Sequence, residues 1–228
     1  MRMGHRHAKA KAGRAAKLVA LNIILVLLCF LALVPILYTL NIAFSSSNTL
    51  VSQTLSLWPA DFTFANFRSI LVDKPFPLWF WNSVKISVLT MLVVFVPSVF
   101  AAYAFSRFRF RFKTAIMFGL LILNAFPQIL TMFALFRLFR LTGLINTTGG
   151  LVIVYAGSMT IFSVWNIKGY FDSIPTEIEE AARIDGLSEA GILFRVILPL
   201  ARPAIIVTGV MVLISVWNEY IFSTTFIT

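Results

Sequence analysis

Long apolar runs alternate with short polar segments along the chain, and this alternation predicts its fold. Five apolar runs cover about residues 18–43, 84–105, 115–136, 151–167 and 203–226. With a rise of about 1.5 Å per residue, a helix of about 20 residues crosses a hydrocarbon core of about 30 Å. The first run is also too long for the apolar part of a signal peptide, which has roughly 7–15 residues. The pattern therefore predicts an all-α membrane protein with five spans, the third of which is broken by Asn124, Pro127 and Gln128.

Composition and charge agree with this class and predict an orientation. Of 228 residues, 59% are hydrophobic and 12% are charged, and the mean hydropathy is +0.90. The net charge of +10 does not indicate nucleic-acid binding, because the basic residues lie in short segments between the apolar runs. If residues 1–17 are inside, the inner segments carry 14 Lys and Arg and the outer segments carry 5. The excess predicts that the N-terminus and residues 168–202 face the cytoplasm.

The first 17 residues are a basic tail that contains six Lys and Arg. The tail has no apolar periodicity, and we interpret it as a disordered cytoplasmic arm that is attracted to the anionic headgroups of membrane lipids. The chain has one cysteine, no G-x-x-x-x-G-K-[ST] phosphate loop, no paired carboxylates and no ligands at metal spacing. We therefore expect no enzymatic activity, no cofactor and no bound metal for this chain.

The segment 168–202 is the longest later part of the chain that cannot be a membrane span. Thr176 and Glu179 fit a capping box, which predicts a helix that begins near Pro175. This helix would expose two small side chains, Ala181 and Ala182, where a partner protein can approach closely.

A second short helix is predicted to follow a sharp turn. Gly186 suits the left-handed position that ends a helix, and Ser188 suits the N-cap of the next one. Pro199 is expected to stop that second helix. The prediction is a rigid helix–turn–helix unit, called the elbow here (residues 175–199). The alternative is an amphipathic loop that lies on the membrane surface.

The sequence of the elbow resembles the EAA loop of the permease subunits of ABC importers. The resemblance rests on Glu180-Ala181-Ala182, on Gly186 after three further residues, and on the ending Ile197-Leu198-Pro199. Other short stretches resemble the sugar-importer branch, and most of all the maltose/maltodextrin permease subunits of the MalG type. These stretches are Asn82-Ser83-Val84-Lys85, residues 102–107, Phe126-Pro127, residues 146–150 and residues 167–171. The resemblance covers about residues 18–228.

The resemblance implies the transmembrane domain of a type I ABC importer in a bacterial or archaeal cytoplasmic membrane. Its partners would be a second permease subunit, two ATP-binding subunits and an extracytoplasmic sugar-binding protein. The EAA loop (168–202) would couple to the ATP-binding subunits. The residues expected to serve this coupling are Glu180, Ala181, Ala182, Asp185, Gly186 and Pro199. Six spans are usual in such permeases, so we also expect a sixth span to be missing by truncation.

Two alternatives to a sugar permease stay open. An ABC permease for another solute, such as glycerol phosphate, an oligopeptide or an amino acid, would share the loop. A membrane enzyme or scaffold with a chance match would need none of the partners above. Within the sugar branch, the sugar itself is not specified by these motifs, since specificity in this family depends largely on the binding protein and on both permease subunits.

Five polar or aromatic residues inside the predicted spans are candidates for the translocation pathway: Asn124, Gln128, Trp217, Asn218 and Glu219. Trp217-Asn218-Glu219-Tyr220 also resembles a sequence that is common in carbohydrate permeases. An ionisable residue at the centre of a span costs about 2.5–3.5 kcal/mol on insertion scales and usually faces a cavity or a partner. Hydrogen bonds between helices and an interfacial tryptophan explain the same residues equally well.

Overall fold

The structure is a computed structural model that describes the backbone of residues 2–46, 58–59 and 61–227. The side chains of residues 2–16 and 128 lie outside the description. The chain divides into two compact units, Met1–Leu78 and Trp79–Thr228. The described residues form helices and no strand beyond an isolated bridge between Ser45 and Phe62. The all-α prediction is confirmed.

The first unit is built on the long helix α1 (Arg2–Ala43). This helix includes the basic tail, so our prediction of a disordered arm there is wrong for residues 2–17. The side-chain amide of Asn66 donates to the carbonyl oxygens of Ile42, Ala43 and Ser45, at 3.3, 3.2 and 3.0 Å. Because the last carbonyls of a helix have no partner within the helix, Asn66 stabilises the end of α1.

The polar segment 44–79, which the apolar pattern predicts to be an external loop, contains more structure than a loop. A short helix, α2 (Ala65–Arg68), continues into a π-helical turn (Ser69–Asp73). Four phenylalanine rings pack together beside it, with centroids 4.9–6.3 Å apart, namely Phe44, Phe62, Phe64 and Phe67. Residues 47–57 of the predicted loop lie outside the described residues.

The second unit contains the remaining helices. In chain order they are α3 (Phe76–Arg107, whose first three residues precede the unit), α4 (Lys113–Ala125), α5 (Gln128–Thr142), α6 (Thr148–Ser173), α7 (Thr176–Ile184), α8 (Glu189–Ile192), a π-helical turn (Leu193–Ile197), α9 (Leu198–Leu200), α10 (Arg202–Trp217) and α11 (Ile221–Phe226). Helix α6 contacts α4, α10 and α11. Gly209 of α10 lies close to α3, since a Cβ there would be 3.3 Å from the ring of Phe95.

Within the described part of the chain, three helices are long and apolar enough to cross a membrane: Lys17–Ala43, Phe76–Arg107 and Thr148–Ser173. The count rises to five if each of two bent helix pairs is one span. Both α3 and α6 extend past the predicted boundaries, by eight residues at the start of α3 and six at the end of α6. The length and composition of the helices thus agree with a multi-pass membrane protein.

Two of the predicted spans are not continuous helices. The third turns by 94° at Phe126-Pro127, where α4 ends and α5 begins. Phe126 adopts an extended backbone there, as expected for a residue before proline. The fifth ends at Trp217 and restarts at Ile221. The break in the third span agrees with the interruption predicted at Asn124, Pro127 and Gln128, whereas a single continuous run was the wrong prediction for residues 203–226.

The second unit has two apolar cores. One joins the end of α3 and the end of α6 to the elbow, and its fully buried members are Ala102, Ile167, Phe171, Ile192, Ile197 and Ala201. The other joins α3, α5, α6, α10 and α11, and includes Val94, Phe139, Leu151, Tyr155, Val212 and Phe226. The elbow is therefore packed against the helix bundle and is not a detached loop.

Candidate functional site

The elbow has the sharp left-handed turn that its sequence predicts. Gly186 has a φ of +85°, a region that glycine adopts without steric cost. The N–H of Leu187 donates to the carbonyl oxygen of Ala182 at 3.0 Å, and the N–H of Gly186 donates to that of Arg183 at 3.0 Å. These two bonds form a Schellman motif. They end α7 and fix the direction in which the chain leaves it.

The second arm of the elbow begins as predicted and ends later. The hydroxyl of Ser188 accepts a hydrogen bond from the N–H of Gly191 at 3.2 Å, so Ser188 is an N-cap. The arm runs through α8, the π-helical turn and α9 as far as Leu200. Pro199 lies in the last turn of this arm, which directly follows the π-helical turn. The arm thus ends one residue beyond the predicted stop at Pro199, and a 76° bend at Ala201 leads into α10.

Glu179 does not take part in a capping box. The helix begins without a side-chain cap, and the carboxylate of Glu179 points inward with 2% of its area exposed. It forms an ion pair with Arg107, the last residue of α3. The hydroxyl of Tyr103 lies 3.4 Å from one oxygen of Glu179 and 3.4 Å from one oxygen of Glu189. Both distances are long for O–H···O bonds.

Arg107 has two further partners. One guanidinium nitrogen donates to the carbonyl oxygen of Ile174 at 3.0 Å, and another donates to the hydroxyl of Ser106 at 3.1 Å. Ile174 is the C-cap residue that directly follows α6. The hydroxyl of Ser106 in turn lies 2.6 Å from the carboxylate of Asp172, near the end of α6. One buried guanidinium thus contacts α3, α6 and α7.

An exposed ion pair closes the outer side of the turn. Two nitrogens of Arg183 donate to the two carboxylate oxygens of Glu189, at 2.6 and 3.1 Å. This hydrogen bonding holds the pKa of Glu189 below its ordinary range. The pair therefore stays charged at neutral pH and joins α7 to α8 across Gly186.

Most of the predicted coupling residues lie on the outer surface of the elbow. Glu180, Ala181, Asp185 and Gly186 are exposed. Ala182 is buried, with 8% of its area exposed, because it packs in the core between α7 and the second arm. Its predicted exposure is wrong. An open hollow of about 630 Å³ lies beside the turn and is lined by Asp185, Gly186, Leu187, Ser188, Ala190, Gly191, Phe194 and Arg195.

The candidate pathway residues are dispersed. Asn124 is exposed and lines an open groove of about 600 Å³ where α4 bends into α5. This groove is mainly apolar, and Thr131 and Ser158 also line it. Ser158 borders a second, small cavity of about 40 Å³ that is lined by Glu219. The side chain of Gln128 lies outside the described residues.

Glu219 is held by hydrogen bonds. It accepts from the hydroxyl of Tyr155 at 2.7 Å and from the N–H groups of Phe222 and Ser223 at 2.9 and 3.2 Å. It therefore caps the first turn of α11 and joins that helix to α6. This arrangement matches the alternative of a hydrogen bond between helices.

Trp217 and Asn218 line neither the groove nor the small cavity. The ring of Trp217 packs edge-on against Phe80, with centroids 5.5 Å apart. The side-chain amide of Asn218 donates to the carbonyl oxygen of Ile214, four residues earlier, at 2.8 Å. Both side chains are exposed in this chain.

With this geometry in place, the comparison with known proteins identifies the family. The model of the family "Binding-protein-dependent transport system inner membrane component" matches residues 94–228, which include the elbow, its buried ion pair and the bent helices. The chain belongs to this family. The resemblance to the permease subunits of ABC importers is confirmed. The matched region is more than half of this permease chain.

Related proteins show the same class. The permease is 33% identical over 221 residues to the galactooligosaccharides transport system permease protein GanQ of Bacillus subtilis, covering 96% of this chain and 77% of that protein. It is 35% identical over 214 residues to the maltose/maltodextrin transport system permease protein MalG of Yersinia pestis, covering 85% and 69%. A solved bacterial ABC transporter involved in the import of alginate matches with a TM-score of 0.76 and 28% identity, covering 92% of this chain and 74% of that chain.

Sequence reasoning missed Tyr103, Arg107 and Tyr155 as interacting residues. Arg107 is the first of four basic residues that alternate with phenylalanine, and composition does not separate it from Arg109. The two arginines differ in position, because α3 ends at Arg107 and the side chain of Arg107 faces α7. Among the described residues, no group of three or more His, Cys, Asp or Glu side chains could hold a metal ion.

Proposed function

We propose that this permease is a subunit of an ATP-driven, binding-protein-dependent sugar importer, and that the elbow couples it to the ATP-binding subunits. The observation that carries the proposal is the elbow itself. It is a rigid turn that presents Glu180, Ala181, Asp185 and Gly186 outward and is tied by its inner face to α3 and α6. A partner that moves the outer face would move the helices behind it.

The proposed orientation has the N-terminus and the elbow in the cytoplasm. It is supported by the charge count of 14 inner against 5 outer Lys and Arg. The proposed partners are two ATP-binding subunits, a second permease subunit and an extracytoplasmic sugar-binding protein. ATP hydrolysis would take place on the ATP-binding subunits.

An oligosaccharide is the proposed substrate class, with maltose or maltodextrin as the first candidate. The relatives named for galactooligosaccharides and for maltose/maltodextrin support the class. The relative named for sulfoquinovosyl glycerol, which is 27% identical, supports a different glycoside as the second candidate. Uptake by the assembled importer across a panel of these three solutes decides between them. Uptake of a non-sugar solute alone would contradict the proposal.

A substitution at Gly186 tests the coupling role. A Cβ at this position meets nothing within 4 Å, so the effect of a larger residue comes from the backbone and not from a clash. Valine disfavours the left-handed conformation, whereas asparagine tolerates it. We expect Gly186→Val to lose association with the ATP-binding subunits and at least tenfold of sugar uptake. Gly186→Asn should retain both.

The measurement is co-purification with the ATP-binding subunits, together with uptake, in membranes that contain equal amounts of each variant. Equal amounts of inserted protein exclude a folding defect as the cause. Normal association and uptake in Gly186→Val would contradict the coupling role of the elbow.

We further propose that the translocation pathway passes the groove beneath the bend between α4 and α5. Asn124 supplies an amide to this groove, and the cavity beside Glu219 adjoins it at Ser158. Gln128, Trp217 and Asn218 are further candidates. The described contacts of Trp217 and Asn218 lie outside this groove. Because hydroxyl groups of a sugar need polar partners, Asn124→Leu should weaken uptake severalfold.

The control for this test is Leu123→Ile, which changes the shape of the same groove lining without changing its polarity. The kinetics of uptake are compared per assembled complex for Asn124→Leu, Glu219→Ala and the control. Wild-type affinity and rate in both polar variants would remove these residues from the pathway.

A further inference from the structure

We propose that Arg107 is the positioning residue that makes the elbow and the ends of α3 and α6 move as one body. Arg107 lies outside the EAA loop, and the inference rests on the function proposed above. It names the side chain through which movement of the elbow would reach the membrane helices.

The guanidinium of Arg107 connects three helices. It forms the ion pair with Glu179 of α7, donates to the carbonyl oxygen of Ile174 at the end of α6 at 3.0 Å, and belongs itself to the last turn of α3. The exposed fractions of the two charged side chains are 9% for Arg107 and 2% for Glu179. The contact is therefore shielded from water and salt, unlike a surface pair.

The connection between α6 and α7 would not by itself fix the angle at which α7 of the elbow meets α6. Only Ile174 and Pro175 separate the two helices, and both have extended backbones, with ψ of 122° and 135°. No continuous helix crosses this point, so it can act as a hinge. Arg107 bonds to Ile174 in the hinge and to Glu179 of α7, and Ser106 connects it to Asp172 of α6. These contacts fix the angle between the two helices.

The surroundings of Arg107 strengthen this connection. Ser106 lies between Arg107 and Asp172, and Asp172 is paired with Lys168 on α6. Tyr103, one turn earlier on α3, lies against Glu179 and Glu189, and its ring contacts Phe171 edge-on. Polar contacts thus join α3 to α6, α7 and α8 around one buried cation.

Arginine suits this position for a geometric reason. Its planar guanidinium presents several N–H donors in fixed directions, so it can satisfy a carboxylate, a carbonyl and a hydroxyl together. A lysine ammonium carries the same charge but cannot reproduce that fork. The role of Arg107 therefore depends on its shape as well as its charge.

The test uses the complete importer, reconstituted in liposomes with its ATP-binding subunits, second permease subunit and binding protein. The measured quantity is the amount of sugar taken up per ATP hydrolysed. We expect Arg107→Gln to lower this ratio at least tenfold while the assembled complex still hydrolyses ATP. A merely structural role would reduce the yield of complex and leave the ratio unchanged.

Arg109→Gln is the matched control, because it removes the same charge from an exposed side chain two residues away. Its ratio should equal that of the wild type. A wild-type ratio in Arg107→Gln, or an equal loss in Arg109→Gln, would overturn the inference.

Two further variants keep the test decisive if Arg107→Gln assembles poorly. Arg107→Lys keeps the cation beside Glu179 and should give an intermediate ratio. The double variant Arg107→Gln/Glu179→Gln should have a ratio no lower than that of the worse single variant, because both single variants remove the same contact. A wild-type ratio in Arg107→Lys, or additive losses in the double variant, would overturn the inference.

The outcome for the wild-type chain separates this inference from the proposed function. Failure of the wild type to assemble with ATP-binding subunits overturns the proposed function and this inference with it. Coupled transport by the wild type, together with unchanged ratios in the Arg107 variants, overturns the role of Arg107 alone.

Discussion

Two carboxyl groups point inward in the second unit, and they are held in different ways. Glu179, in the core beside the elbow, faces the guanidinium of Arg107. Glu219, beside the other core, faces the hydroxyl of Tyr155 and two backbone N–H groups at the start of α11. The first has a full opposite charge as its partner. The second has neutral donors and the positive end of a short helix.

The difference extends to the regions around the two carboxyl groups. The three ion pairs among the described residues all lie at the elbow end, at Arg107–Glu179, Lys168–Asp172 and Arg183–Glu189. The other region contains the bend between α4 and α5, the break between α10 and α11, and the groove lined by Asn124. We interpret the elbow end as the part that transmits force. Under the proposed function, the other end would be the part whose helices rearrange.

The largest effect is expected from Glu179→Gln. The amide keeps the size of the side chain but leaves the buried guanidinium of Arg107 without an opposite charge. Removing one partner of a buried ion pair typically costs about 3–5 kcal/mol. We expect a loss of this size in the free energy of unfolding, measured for the purified permease in detergent.

The same substitution at Glu219 should have a much smaller effect. The amide oxygen of Glu219→Gln can still accept hydrogen bonds from Tyr155 and from the first turn of α11. Single hydrogen bonds between membrane helices average about 0.6 kcal/mol, so the expected loss is below about 1 kcal/mol. Comparable losses for the two variants, measured in the same detergent, would contradict the distinction between a charge-held and a neutrally held carboxyl group.

Helices, turns and caps could be predicted from sequence where they depend on residues close together in the chain. Apolar runs located the spanning helices, and the turn at Gly186 and the cap at Ser188 follow from backbone preferences at single positions. The outer residues of the elbow were found through resemblance to the EAA loop. Such features need little knowledge of which distant segments pack together.

The rest depends on contacts between segments far apart in sequence. Glu179 satisfies a capping rule with Thr176, but a buried arginine 72 residues earlier competes for it and wins. In the same way, Glu219 caps α11 while it accepts a hydrogen bond from Tyr155, which lies 64 residues earlier. Ala182 is buried because the second arm folds back over it. Neither spacing nor composition contains these tertiary contacts.

The smallest effect is expected at the exposed pair across the turn. Arg183 and Glu189 have side chains that are 44% and 51% exposed, so solvent and salt screen their attraction. Arg183→Gln should therefore change the midpoint of thermal unfolding less than Glu219→Gln does, and the change should shrink further at high salt.

The pH dependence of this small effect has a defined sign. The hydrogen bonds from Arg183 hold the pKa of Glu189 below the ordinary value of 4.5. A carboxyl group whose pKa is lowered by folding stabilises the folded state fully above its unfolded pKa and loses that contribution as the pH falls through its folded pKa. The difference between Arg183→Gln and the wild type should thus be constant from pH 8 to pH 6 and diminish only below about pH 4.5. A difference that grows on acidification would contradict the lowered pKa of Glu189. A difference that exceeds the effect of Glu179→Gln would mean that the exposed pair and not the buried one holds the elbow.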